Sequence, residues 1–126
     1  MLPLWMGGEG ETAMTESYGT DQGALYRVDK FVVPPAARAA FLDRVTATHA
    51  VLRAQPGFVR DLVLEQNGGP GEFNVVTLVE WENAGVVAAA SGAVARAHAE
   101  AGFDRQAFLA ANGIRADIAN YGALAL

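Results

Sequence analysis

The chain has 126 residues, 52% hydrophobic and 18% charged, with a net charge of −5, two histidines and no cysteine. That is the composition of one globular domain. The acidic balance leaves no basic stripe for a nucleic-acid backbone or an anionic membrane surface, the missing cysteines exclude disulfides, thiolate catalysis and Fe–S clusters, and two histidines cannot make a three-histidine metal site within one chain.

The opening "MLPLWMGG" is apolar but short and lacks a basic n-region, so it does not read as a signal peptide. Residues 1–23 are rich in Gly, Glu, Thr and Ser without a period and read as a tail, in which Trp5 could dock on a neighbour. Residues 24–126 form the domain. The longest apolar stretch, near 84–95, is too short to span a bilayer. The expected setting is the cytoplasm.

From Leu25 the pattern alternates. "LYRVDKFVV" (25–33) reads as a first strand. "PPAA" then ends the strand and opens a helix, because proline suits a first helical turn. In that helix Phe41, Val45, His49 and Leu52 share one face, and "QPG" (55–57) ends it. "FVRDLVLEQ" (58–66) and "EFNVVTLVEW" (72–81) are strands joined by the turn formers "NGGPG". A second helix spans about 84–101, with an inner stripe of Val87, Ser91, Val94, His98 and Ala101. A short helix in 103–113 ends at Gly113, and "IRADIANYGAL" (114–124) is the last strand.

The order βαββαβ is an α+β, ferredoxin-like arrangement, with an antiparallel sheet and both main helices on one face. The hairpin strands are apolar on both faces, with Val75, Val79 and Trp81 one way and Val76 and Leu78 the other. One helix layer covers only one face. A second copy covering the other predicts a homodimer.

Charged residues inside this pattern are the sharper clues. Asp29 has Arg27 two residues away on its own face, which predicts an ion pair. Pairing Gln66 with Glu72 would put Asp61 opposite Thr77, on the face of Trp81, with no same-face cation in its own strand. A sheet carboxylate there needs a partner. His49 or His98 is the candidate, and an Asp–His contact would raise the histidine pKa and fix its tautomer. His98, His49 and Asp61 are therefore the candidate acid–base set. Arg60 and Glu80 fall on the opposite face and predict a salt bridge.

The run "F…RV…H…QPGF" (41–58), the strand end "VEWEN" (79–83) and the helix "SGAVARAH" (91–98) together resemble the antibiotic biosynthesis monooxygenase domain, of the dimeric α+β barrel superfamily. The resemblance implies a pocket between helices and sheet in each subunit, and a barrel made by two sheets. One branch comprises cofactor-free oxygenases of aromatic phenols, with Asn-x-x-x-Trp on the third strand and a Tyr six residues beyond. Here Trp81 matches, while Thr77 and Val87 stand at the other two positions. A second branch degrades haem and aligns His98 with an axial ligand, but Asp29 and Ala88 replace its Asn and Trp. A third group places a histidine eight residues before a glycine, as His49 stands before Gly57. The implied function is a cofactor-independent monooxygenase of a small phenol- or quinol-like substrate. His49, His98 and Asp61 would act on protons, and Trp81, Thr77, Asp29, Val87 and Ser91 would contact the substrate. The alternatives are a non-catalytic member binding a small hydrophobic ligand, and a haem-binding or haem-degrading protein.

Overall fold

A computed structural model describes residues 23–126; the expected tail, with Trp5, lies outside the described residues except for Gly23. Four strands form one antiparallel sheet in the order β2-β3-β1-β4, with β1 Leu25–Val32, β2 Phe58–Glu65, β3 Val75–Trp81 and β4 Arg115–Gly122. Helix α1 (Arg38–Arg53) links β1 to β2, and α2 (Val87–Glu100) with the short α3 (Arg105–Ala111) links β3 to β4. This is the expected ferredoxin-like topology.

Alternation decides which side chains meet the helices. Leu25, Arg27, Asp29 and Phe31 of β1 are buried, as are Val75, Thr77, Val79 and Trp81 of β3. The residues between them are only half-buried. Two apolar clusters hold helices to sheet. One joins Leu25, Leu52, Val79, Trp81, Val87, Ala90 and Val94. The other joins Phe31, Val33, Ala37, Phe41, Val75, Leu109 and Ile114. Along β1, β3 and α1 the residues between these clusters are polar: Arg27 and Asp29, Thr77, and His49. The core is thus two apolar blocks separated by a polar belt.

Local chemistry sets the boundaries. Pro35 opens a short 3-10 turn before α1. Gly57, at φ +86°, turns the chain after α1 so close to Val86 that a Cβ there would come within 2.6 Å of that side chain. Asp104 caps α3, its Oδ1 accepting from the Ala107 N–H at 3.0 Å.

The hairpin differs from expectation. β3 begins at Val75, three residues later than its pattern implies. The Asn74 side chain replaces a stretch of ladder there: its Oδ1 accepts from the Val33 N–H and its Nδ2 donates to the Val33 carbonyl, both at 2.8 Å. The longer loop moves the register by two residues, so Asp61 lies opposite Val79, and Val63 opposite Thr77. A shift of two preserves the face each side chain takes. The inner stripe of α2 also ends earlier than expected, since Ala101 is its exposed C-cap.

Candidate active site

The polar belt borders a cavity of about 40 Å³ beneath the helices. Its polar wall is Asp29, Arg44, Thr48, His49, Thr77, His98 and Arg105, and its aromatic wall is Phe31, Phe41, Phe103 and Phe108. A second hollow of about 200 Å³ lies between α1 and α2 and shares Arg44, Thr48 and His98 with the first.

The two histidines meet this cavity from different helices. His49 is buried one turn before the end of α1, and its Nδ1 lies 2.8 Å from Asp61 Oδ2. Arg53, four residues later and so one turn on, donates to the same oxygen from Nε at 2.9 Å. With its Nδ1 proton on the carboxylate, His49 keeps Nε2 as its basic nitrogen. His98 comes from α2. Its Nε2 is 3.3 Å from Thr48 Oγ1, and its ring meets Phe103 edge-on at 5.1 Å.

Burial, the strongest influence on His49, pushes its pKa below the usual 6.5 despite the opposing pull of the Asp61 hydrogen bond. The expected rise is thereby corrected: loss of water outweighs the carboxylate. His98 is also lowered, first by burial and then by the positive charges of Arg105 and Arg44. Burial works against the Asp61 carboxylate too, but the hydrogen bonds from His49 and Arg53 prevail and hold it below its usual 3.8. Both imidazoles are consequently neutral at pH 7, the form that accepts a proton.

The expected pair of Arg27 and Asp29 is present, Nε to Oδ1 at 2.8 Å, and an Arg27 Nη1 donates to Asn120 Oδ1 at 3.3 Å. Burial raises the Asp29 carboxyl from 3.8 to about 6, against the pull of Arg27 and Arg105. A folded-state pKa above the unfolded one means that this group favours folding fully below pH 3.8, and that its contribution is lost as pH rises through about 6. A displacement of about two pH units corresponds to about 3 kcal/mol. Asp29→Asn is therefore expected to gain about that much unfolding free energy on the wild type between pH 3.5 and pH 7. Urea denaturation of both proteins at both pH values checks this, and a difference independent of pH would contradict it.

Of the residues expected to contact a substrate, Asp29 and Thr77 line the cavity. Trp81, Val87 and Ser91 do not line this cavity. Trp81 is 1% exposed inside an apolar cluster, edge-on to Phe58 at 6.0 Å. Val87 packs in the same cluster, and Ser91 is buried with an Oγ that has no hydrogen-bond partner among the described residues. These three follow the inward stripe correctly, but at the level of an apolar block instead of the belt.

Arg44, Thr48, Phe103, Phe108 and Arg105 also line the cavity, beyond the residues the sequence singles out. Arg44 and Thr48 were readable, because 41, 44, 45, 48, 49 and 52 make one continuous helical stripe. Arg105 and Phe108 reach the cavity through the placement of α3, for which no sequence period exists. Among the described residues, no group of three His, Cys, Asp or Glu could hold a metal ion, and no helix is long and apolar enough to cross a membrane.

Against known proteins, residues 25–103 match the family model described as antibiotic biosynthesis monooxygenase. The fold is similar to that of a Shewanella loihica PV-4 protein assigned as a monooxygenase, at 17% identity and a TM-score of 0.61, covering 86% of this chain and 100% of that one. It is also similar to SnoaB, a cofactor-independent oxygenase from Streptomyces nogalater, at 24% identity and a TM-score of 0.52, covering 82% and 96%. No curated protein matches the chain.

Proposed function

The chain belongs to the antibiotic biosynthesis monooxygenase family, and on that premise we propose that it is a cofactor-independent monooxygenase of a small phenol- or quinol-like substrate. The observation that carries this reading is the Asp61–His49 pair at 2.8 Å, set at a cavity with four phenylalanines in its wall.

His49 Nε2 accepts the phenolic proton, and Asp61 holds the ring and stabilises the imidazolium that forms. The electron-rich phenolate reacts with dioxygen. Overall a ring C–H becomes C=O, and the second oxygen atom leaves with two hydrogens as water. The substrate supplies every electron, so no external reductant enters the balance. Thr77, on the same wall, offers one hydroxyl for substrate orientation. His98 is a second proton-accepting group.

Haem does not suit these residues. His98 Nε2 faces Thr48, Ala88 provides no ring to lie on a porphyrin, and the two hollows that His98 lines, of about 40 and 200 Å³, are small for one. Binding of a small hydrophobic ligand without turnover is the second reading, favoured by Thr77, Val87 and Ala88 standing where the oxygenase and haem-degrading branches carry other groups. Oxygen uptake with hydroquinones and anthrones separates the two. Uptake matched one-to-one by quinone formation is expected, while wild-type protein no faster than His49→Ala would overturn the oxygenase reading.

The subunit is proposed to work as a homodimer in the cytoplasm. On the face away from the helices Leu62 and Leu64 are 44% and 49% exposed, beside exposed Tyr121 and half-buried Val28, Val76 and Leu78. An uncovered apolar face of that kind fits a self-complementary contact. Light scattering is expected to give a dimeric mass for the wild type and a monomeric one for Leu62→Glu with Leu64→Glu. A monomeric wild type at micromolar concentration would refute the dimer.

A further inference from the structure

The carboxylate beside His49 is shared. Asp61 Oδ2 lies 2.8 Å from His49 Nδ1, and both Nε and Nη2 of Arg53 lie 2.9 Å from that same oxygen. Two elements are shaped to bring this about. Arg53 ends α1, one turn after His49. In β2 an extra residue, Val59, sits between the pairs Phe58–Trp81 and Arg60–Glu80. Such a bulge re-aims the side chains that follow it. Phe58 and Asp61, three residues apart, therefore both turn toward the helices, where regular alternation would set them on opposite faces.

The cluster is graded in exposure. The His49 and Asp61 side chains are 6% and 12% exposed, and that of Arg53 is 56% exposed. A guanidinium on the solvent side of a carboxylate takes up part of its charge and of its accepting capacity. That weakens what the carboxylate gives to the imidazole behind it. The titration directions agree with this geometry. Burial lowers the His49 pKa, the Asp61 hydrogen bond opposes that, and the Arg53 charge lowers it further.

We propose that Arg53 is a positioning residue for the base: by sharing Oδ2 it fixes the Asp61 carboxylate at the His49 ring and limits its pull on the imidazole, so that Nε2 stays free to accept a proton. This rests on reading His49 as the proton acceptor, and it adds to that site a residue outside the cavity wall. Among the described residues, the other charged or titratable side chains bordering the cavity are Asp29 on β1, Arg44 on α1, His98 on α2 and Arg105 on α3. They are the same in every variant compared below, so the contrast isolates Arg53.

The test is the titration of His49 in the full chain, read from imidazole nitrogen and proton chemical shifts and assigned by its loss in His49→Ala. In Arg53→Gln the ratio of neutral to protonated His49 at a given pH is expected to fall about threefold, the scale of an exposed charged contact, so the titration moves toward higher pH. Arg53→Lys keeps a cation at Oδ2 and should return most of that change. In an Asp61→Asn background Arg53→Gln should have clearly less effect, because no carboxylate charge is left to share. Should Arg53→Gln not fold, Arg53→Ala carries the same expectation. In oxygen uptake the acid limb of Arg53→Gln should begin nearer neutrality, while kcat/KM at about pH 8, where the base is neutral in both proteins, stays within about twofold of the wild type.

An unchanged or lowered His49 titration in Arg53→Gln, a lysine variant no different from the glutamine one, or an equal shift with and without the Asp61 charge would each overturn the proposal. The titration is read without turnover. A protein whose His49 responds to Arg53 as expected but consumes no oxygen keeps this inference and loses the oxygenase reading, and one that consumes oxygen with a titration indifferent to Arg53 does the reverse.

Discussion

Replacing His49 by alanine is expected to lower kcat/KM for oxygen uptake by about 10²–10⁴-fold, the usual contribution of a positioned general base. The residue is suited to that role because its Nδ1 is committed to Asp61 at 2.8 Å. Asp61→Asn is expected to cost less, since it leaves the base in place and removes only the charge that orients it. The pH profile carries the sign. Burial holds the His49 pKa below 6.5, so the rate should be flat through neutrality and fall only on the acid side of that value. Removing the Asp61 charge removes an influence that raises the pKa, and the acid limb should move further down. A stopped-flow or oxygen-electrode profile between pH 5 and pH 8 checks both. A limb above pH 6.5 would contradict the assignment.

Trp81→Ala is expected to destabilise the fold by about 3–5 kcal/mol. That corresponds to a fall of at least about 12 °C in Tm for a domain of this size. The indole fills the apolar block made with Leu25, Leu52, Val79, Val87, Ala90 and Val94, and no neighbour can close the resulting gap without moving. Trp81→Phe, which keeps a ring in the block, should leave the KM of the aromatic substrate unchanged. Thermal melts together with KM measurements separate a structural role from ligand contact. A tenfold rise in KM without loss of stability would place the indole at the substrate after all.

That contrast shows what a sequence makes legible. Period-two alternation in "LYRVDKF" was enough to put Arg27 and Asp29 on one face and pair them, though not to say which face turns inward, and the helical stripe through Phe41, Val45, His49 and Leu52 was enough to bring His49 beneath the helices. Strand parity put Asp61 within reach of a histidine, His49 or His98, and survived even though the register moved by two residues; the choice of His49 came only with the structure. The register itself was hidden, because Asn74 acts through its side chain, as a false length of strand. Depth along the sheet was hidden as well. Thr77 and Trp81 share a face, but four residues separate belt from apolar block, and no local pattern marks the boundary. The direction of the His49 pKa depended on how completely helix and sheet exclude water, a property of the assembled layers.

The division of the core has a consequence for how the molecule comes apart. Its two oily compartments meet across a plane of ions and other polar side chains that borders the cavity. A guest lodged in that plane would act as a missing keystone between the halves. Slowed amide exchange on both flanks at once, in β1 and in α1, would be its signature.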